Sequence, residues 1–312
     1  MFELARTITR LNRFIGKWIA PAVLIIFALL LADVVMRYLV GSPTIWTAEL
    51  ATLIFGVYAI IGDPIAQVGS PRMFNGLFRE RGIEAVLVPL HVAPADLADA
   101  VRGLFACRNI DGIIVTVPHK IAVASLVDRL GDSARRIGAV NAIRRDPDGA
   151  TVGENFDGEG CVIGLRRAGH DLAGKSAVIL GAGGAGSAVA HAFADAGVRR
   201  IVIADTDDAR ADALAASLRQ AVPGLEALRG PADPAGADVA VNCTPLGMQP
   251  GDPYPMDLAR ISPDPLVVDV VLKPAVTPFL EAAAAKGCAT QPGNRMLEGQ
   301  AEAIARFFGV IA

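Results

Sequence analysis

Spacings that hold a metal are missing from this chain. Its four cysteines, Cys107, Cys161, Cys243 and Cys288, lie far apart with no Cys-x-x-Cys pair, and its four histidines, His91, His119, His170 and His191, form no helix-spaced pair. The expectation is therefore no metal site, and buried thiols kept reduced. A surplus of positive charge is missing too. With 29 Lys and Arg against 32 Asp and Glu the net charge is −3, which gives no reason to expect nucleic acid as a partner. Internal repeats and low-complexity linkers are absent. The 312 residues leave room for about two domains of ordinary size.

What is plentiful is apolar residue, 53% of the chain, and it is unevenly spread. Residues 19–36 are apolar except for Asp33, close to the shortest run that spans a bilayer. Arg6, Arg10, Arg13 and Lys17 precede it, which puts the N-terminus on the cytoplasmic side, and Asp33 and Arg37 stand one helical turn apart and can pair. A signal peptide is the competing reading, but Leu31-Ala32-Asp33-Val34 is a poor cleavage context and the run is long. A membrane helix is favoured. A second apolar stretch, residues 44–61, follows the turn-like Gly41-Ser42-Pro43. The Arg37-Tyr38 and Trp46-Thr47-Ala48-Glu49 placements make residues 1–58 resemble a fragment of the small membrane subunit of a tripartite ATP-independent periplasmic (TRAP) transporter. The end of that stretch is also needed as the first strand of the next domain. The turn Gly62-Asp63-Pro64 favours the strand, and the second membrane helix is then too short to span.

From Val57 the pattern alternates. Strands are expected at 57–62, 84–92, 113–117, 139–144, 177–180 and 200–204, and helices at 71–81, 93–106, 120–130, 157–169 and from the glycine loop to about 196. Alternation of this kind predicts an α/β fold in two lobes, with a parallel sheet and helices on both faces.

Two features carry chemistry. Gly181, Gly183 and Gly186 follow an apolar strand and open a helix, with Gly184 and Ala185 between them, as a dinucleotide-binding loop requires. The first glycine permits the tight turn, the second lets the backbone approach a pyrophosphate, and the third allows close helix packing. Asp205 lies at the end of the next strand, where a carboxylate accepts from both ribose hydroxyls of NAD and repels the 2′-phosphate of NADP. No basic residue follows until Arg210, so NAD is preferred over NADP; the alternative is a solvated turn acid capping the next helix. Upstream, Lys120 closes the run Ile113-Ile114-Val115-Thr116-Val117-Pro118-His119-Lys120, and Asp157 sits in Glu154-Asn155-Phe156-Asp157-Gly158. A lysine and a carboxylate ahead of a dinucleotide fold are what proton-coupled hydride transfer to a ketone needs.

Together these segments resemble the shikimate dehydrogenase family, which includes quinate dehydrogenases, over residues 57–312. The matching motifs are Gly62-Asp63-Pro64-Ile65-Ala66, Ser70-Pro71, Val115–Lys120, Gly138-Ala139-Val140-Asn141, Asn155-Phe156-Asp157-Gly158 and Gly181–Gly186. They continue with Asn242-Cys243-Thr244-Pro245-Leu246-Gly247-Met248, Asp269-Val270-Val271, Pro274, Thr277-Pro278, Gly293-Asn294-Arg295-Met296-Leu297 and Gln300. The resemblance implies a substrate-binding lobe over 57–160, completed by a helix over 294–312, and a Rossmann-type cofactor lobe over 161–293, both preceded by the hydrophobic segment 1–56. It implies an NAD(P)-dependent dehydrogenase acting on shikimate, quinate or a related ring hydroxy-acid. Lys120 would be the acid/base and Asp157 its partner at the substrate hydroxyl. Ser70, Thr116, Asn141 and Gln300 would bind substrate, while Thr244, Val270 and Gly293 would line the nicotinamide pocket.

Four residues depart from the family pattern. Val68 stands where a serine is usual, Leu272 for a tyrosine, Phe156 for a threonine and Ile114 for an asparagine, and all four are expected to make the pocket more apolar. A different cyclic polyol, or cofactor and solute binding without turnover at a membrane, are the alternative functions. The enzyme lobe is expected in the cytoplasm, tethered only if residues 1–56 span. A single span with the N-terminus inside would turn it away from cytosolic NAD, so the segment either is absent from the working enzyme or does not span once. A homodimer is compatible with the reading, although no interface signal separates from the core pattern.

Overall fold

Residues Gly56–Gly62 form a strand, β1, which settles the competition at the end of the second apolar stretch. The computed structural model describes residues 56–261 and 264–311. The expected membrane helix at 19–36 and the TRAP-like fragment through residue 55 lie outside the described residues. Among the described residues, no helix is long and apolar enough to cross a membrane, and no group of three His, Cys, Asp or Glu could hold a metal ion.

The first sheet holds β1, β2 (Ala85–His91), β3 (Ile110–Val115), β4 (Arg129–Leu130), β5 (Ala142–Arg145) and β6 (Thr151–Glu154), in the order β2-β1-β3-β5-β6-β4. Here β1 pairs in parallel with β2 and β3; β1 is buried from Tyr58 to Gly62 and β3 from Gly112 to Val115, while β2 is the edge strand, exposed at Val86, Pro89 and His91. Successive side chains of β1 enter different cores. Ala59 and Ile61 pack with Ile113 and Val115, while Tyr58 and Ile60 pack with Phe74, Phe78 and Ile114. Helix α1 (Ser70–Glu80) covers the second face, and α2 (Leu97–Ala106) covers the first through Leu97 and Val101.

Two expectations fail in this lobe. The sheet is mixed, because β5 runs antiparallel to both β3 and β6. Its hairpin turns at Asp146-Pro147-Asp148-Gly149, with Gly149 at φ +88° and the Gly149 amide donating to the Asp146 carbonyl. Nor is there a helix over 120–130. The Lys120 carbonyl accepts from the Val140 amide at 2.8 Å, which removes it from a helical ladder, and the segment makes one short turn before joining the sheet as β4. A six-residue helix, α3 (Asp132–Ile137), follows.

The second sheet is parallel throughout: β7 (Ser176–Leu180), β8 (Arg200–Ala204), β9 (Glu226–Arg229), β10 (Val239–Asn242), β11 (Leu266–Asp269) and β12 (Ala289–Gln291), ordered β12-β11-β10-β7-β8-β9. Its order reverses beside β7, so the crevice at the carboxyl ends of β7 and β10 is where a doubly wound fold binds its ligand.

Helices α4 (Asp157–Arg167) and α8 (Gly293–Phe307) run between the sheets, joined in sequence by α5 (Gly184–Asp195), α6 (Asp208–Ala221) and α7 (Pro278–Ala285). Where α4 and α8 cross, both present glycine. A Cβ on Gly160 would collide with the Met296 carbonyl and reach 2.8 Å from Gln300 Cβ, and one on Gly299 would collide with the Gly160 carbonyl. Met296 of α8 packs into the core of the second sheet, while Ile304 and Ala305 pack into that of the first.

Candidate active site

Lys120 leaves the end of β3 on a turn held from both sides. The preceding His119 is buried and its Nε2 donates to the Val92 carbonyl at 2.7 Å, and the Lys120 carbonyl is held by Val140 as described above. Asp157 is fixed as the first residue of α4, where its amide donates to Asn155 Oδ1 while Asn155 Nδ2 donates to the Ala139 carbonyl. The two side chains meet with Lys120 Nζ 2.6 Å from Asp157 Oδ2, and they are only 13% and 3% exposed, so solvent screens the pair weakly.

Asn141 extends this pair into a chain. Its Nδ2 donates to Asp157 Oδ1 at 3.0 Å and to Gln300 Oε1 at 2.8 Å, while its Oδ1 accepts from the Phe156 amide. Both oxygens of Asp157 are thus engaged. Gln300 Nε2 has no acceptor among the described residues and belongs to a side chain lining the cavity. That cavity, of about 170 Å³, is also lined by Ser70, Thr116, Ala185, Thr244, Val270 and Gly293. All the residues assigned to acid/base and substrate roles from sequence therefore reach one space. Gly181, Gly183, Gly184, Gly186 and Asp205 are not part of its lining and stand around the adjoining loop.

That loop suits a dinucleotide. Gly181 has φ +103°, and a Cβ on Gly186 would collide with the Gly181 carbonyl, so the first and third glycines are needed to close the turn. Gly183 faces open space at the start of α5, whose amides point outward as donors for phosphate. A Cβ on Gly184 would lie 3.1 Å from Lys120 Cβ, so the loop passes against the lysine itself.

Asp205 is not the solvated acid of the alternative reading. Its side chain is 7% exposed, and it accepts from the amides of Ala182 at 2.6 Å and Asp207 at 2.9 Å and from Arg210 at 2.9 Å. Burial pushes its carboxyl up, but those two amides and the guanidinium outweigh burial and hold it below the usual range. Asp207 is the residue that caps α6. Arg210, which sequence spacing set aside, folds back onto Asp205.

Beneath Thr244 and Val270 lies a buried network. Asp269 accepts from Asn242 Nδ2 at 3.1 Å, the Val271 amide at 3.0 Å and Thr277 Oγ1 at 2.7 Å, and burial lifts its carboxyl to about 6. Asn242 Oδ1 in turn receives the amide and hydroxyl of Thr244. Burial pushes the Cys161 thiol up to about 12 and the Cys243 thiol well above its ordinary value, which disfavours the thiolate form of each.

Of the four departures, Val68, Ile114 and Leu272 line the cavity. Phe156 does not; its ring packs on Phe307 with centroids 5.4 Å apart, so it leaves the pocket's polarity alone. Gln67, which sequence reasoning passed over, and Met248 and Leu297, which it gave no site role, also line the cavity. The four-residue spacing Met296, Gln300, Ile304 was the signal available for the α8 face.

Comparison with known proteins gives consistent matches. The family model described as "Shikimate dehydrogenase substrate binding domain" matches residues 60–143, and "Shikimate / quinate 5-dehydrogenase" matches 164–244. The shikimate dehydrogenase (NADP(+)) of Rubrobacter xylanophilus is 41% identical over 246 residues, 76% of this chain and 85% of that protein. Among solved structures, shikimate 5-dehydrogenase of Listeria monocytogenes in complex with shikimate and NAD is 31% identical at TM-score 0.73, covering 82% of this chain and 92% of that one. The ligand-free 5-ketofructose reductase of a Gluconobacter strain is 31% identical at TM-score 0.72, covering 82% and 93%.

Proposed function

This chain belongs to the shikimate dehydrogenase family, and on that premise we infer that the cavity beside the glycine loop is where it works. It is an NAD(P)-dependent oxidoreductase that reversibly transfers hydride between the nicotinamide and a ring carbon alternating between alcohol and ketone. The observation that carries the site assignment is the Lys120–Asp157 contact at 2.6 Å, inside the cavity and against Gly184.

The bound cofactor supplies or accepts the hydride; the remaining work falls to side chains. Lys120 gives its proton to the oxygen as alkoxide character develops and takes it back in the oxidative direction. Asp157 keeps the ammonium oriented, and Asn141 keeps Asp157 oriented. Gln300 Nε2 donates to a second ring oxygen, and Ser70 and Thr116 offer hydroxyls to the rest of the ring. Thr244, Val270 and Gly293 shape the nicotinamide end, while Gly181–Gly186 and the N-terminus of α5 hold the pyrophosphate. Asp205, at the end of β8, would favour NAD, because an ionised carboxylate beside the adenosine ribose would repel a 2′-phosphate; Arg210, already bound to it, is the countervailing charge.

Shikimate and quinate are the ring hydroxy-acids to try first. Initial rates of the full chain with NAD and NADP should show turnover, faster with NAD. Lys120→Ala should lower kcat by about 10²- to 10⁴-fold, the range of a lost general acid, with cofactor affinity kept. Unchanged kcat in that variant would remove Lys120 from the chemistry, and a higher kcat/KM with NADP would remove the selector role of Asp205.

A further inference from the structure

Four of the polar residues lining the cavity form one connected cluster. Lys120, Asp157, Asn141 and Gln300 are joined by hydrogen bonds. The lining also holds an apolar wall made of Ile60, Val68, Ile114, Leu272, Leu297 and Ile304. Gly69, next to Val68, abuts Leu297, since a Cβ on it would come 2.9 Å from Leu297 Cδ2.

Among the described residues lining the cavity, Lys120 and Asp157 are the only charged ones, and they neutralise each other at 2.6 Å. The Thr244 hydroxyl is engaged by Asn242 and the Leu246 amide. Ser70 opens α1, but Pro71 follows and has no N–H to add. A carboxylate seated on the apolar wall would lose its water and gain only neutral donors, the hydroxyls of Ser70 and Thr116 and the Gln67 amide, with no cation free to meet it. Burying an ion with so little compensation is strongly unfavourable.

We propose that the preferred substrate carries no charge on the side away from the reacting carbon: an uncharged ring hydroxy compound rather than a ring acid. Its reacting hydroxyl and a neighbouring one meet Lys120, Asp157 and Gln300, and a neutral or apolar group rests on Val68, Leu272 and Leu297. The inference rests on the reaction and site assigned above, and it makes Val68 and Leu272 the residues that set specificity.

Shikimate and its methyl ester separate the two ideas, since they share every hydroxyl and differ in the charge at one position. With the full chain and NAD, kcat/KM for the ester should exceed that for the acid by tenfold or more. Val68→Ser combined with Leu272→Tyr, which returns two hydroxyls to the wall, should shift the ratio back towards the acid by about tenfold, the size of one hydrogen bond to a charged group. If the double variant does not fold, the ratio in the unaltered chain still decides. An acid used as well as or better than the ester overturns the inference and leaves the reaction standing. Cofactor binding with turnover of neither ring overturns the assigned reaction and the inference together.

Discussion

Asp269 shows how far a single carboxyl can be drawn from its ordinary behaviour by its surroundings. It is buried beneath Thr244 and Val270 with three donors and no cation, and its folded value is about 6 against 3.8 for the free side chain. The folded chain therefore holds this proton more tightly than the unfolded chain. Its contribution to stability is complete below about pH 4, is lost as pH rises to about 6, and stays lost above that. The difference of about two units corresponds to roughly 3 kcal/mol. Asn at this position does not titrate. The melting-temperature advantage of the native protein over Asp269→Asn should accordingly shrink by roughly 5–10 °C between pH 4 and pH 7.5. A gap that stays constant across that range would show the carboxyl to be ionised throughout. From sequence alone, Asp269 was only a motif position, because nothing in Asp269-Val270-Val271 reveals that Asn242 and Thr277 close over it. Lys120 and Asp157 were legible because each sits in a distinctive local run; that Phe156 turns away from the pocket was not, since side-chain direction is decided by the Phe307 ring it meets.

Among elements, the strand–loop–helix around Gly181–Gly186 was the most readable, since its glycines answer local steric demands. The second and third glycines, Gly183 and Gly186, separate binding from folding. Gly186→Ala places a methyl against the Gly181 carbonyl, so the turn must open; a melting temperature lower by several degrees and cofactor affinity weakened at least tenfold are expected. Gly183→Ala meets nothing within 4 Å at φ −76°, so stability should hold while the added methyl obstructs the pyrophosphate and weakens binding. Calorimetric titration with NAD alongside thermal melts checks both, and equal destabilisation by the two would contradict the division. The elements misread were those set by distant partners. The failed helix over 120–130 has acceptable helical periodicity, but the Val140 amide and the pairing of β4 with β6 outweigh it. The β5–β6 hairpin had a readable Asp-Pro-Asp-Gly turn, and only the strand after it was overlooked.

For the whole molecule, the crossing of α4 and α8 couples the two sheets to the chemistry. Asp157 begins one helix and Gln300 lies on the other, and the glycines at the crossing let them approach closely enough for Asn141 to bond both. Gly160→Val would drive the helices apart. We expect kcat/KM to fall by about 10²-fold, the cost of an ångström-scale displacement of catalytic groups, together with a lower melting temperature; native kinetics in a folded variant would mean that the crossing tolerates the change. The same arrangement bears on the order in which the chain is made. Ile304 and Ala305 complete the core of a sheet whose last strand ends at Glu154. At ribosomal speeds of roughly 5–20 residues per second, that sheet waits about 8–30 s for its final helix. Throughout that interval the pocket between Phe74, Phe78 and Tyr58 is open to chaperones, and a nascent chain arrested before Gly293 should be cleaved by protease within the first lobe, whereas the released chain should resist.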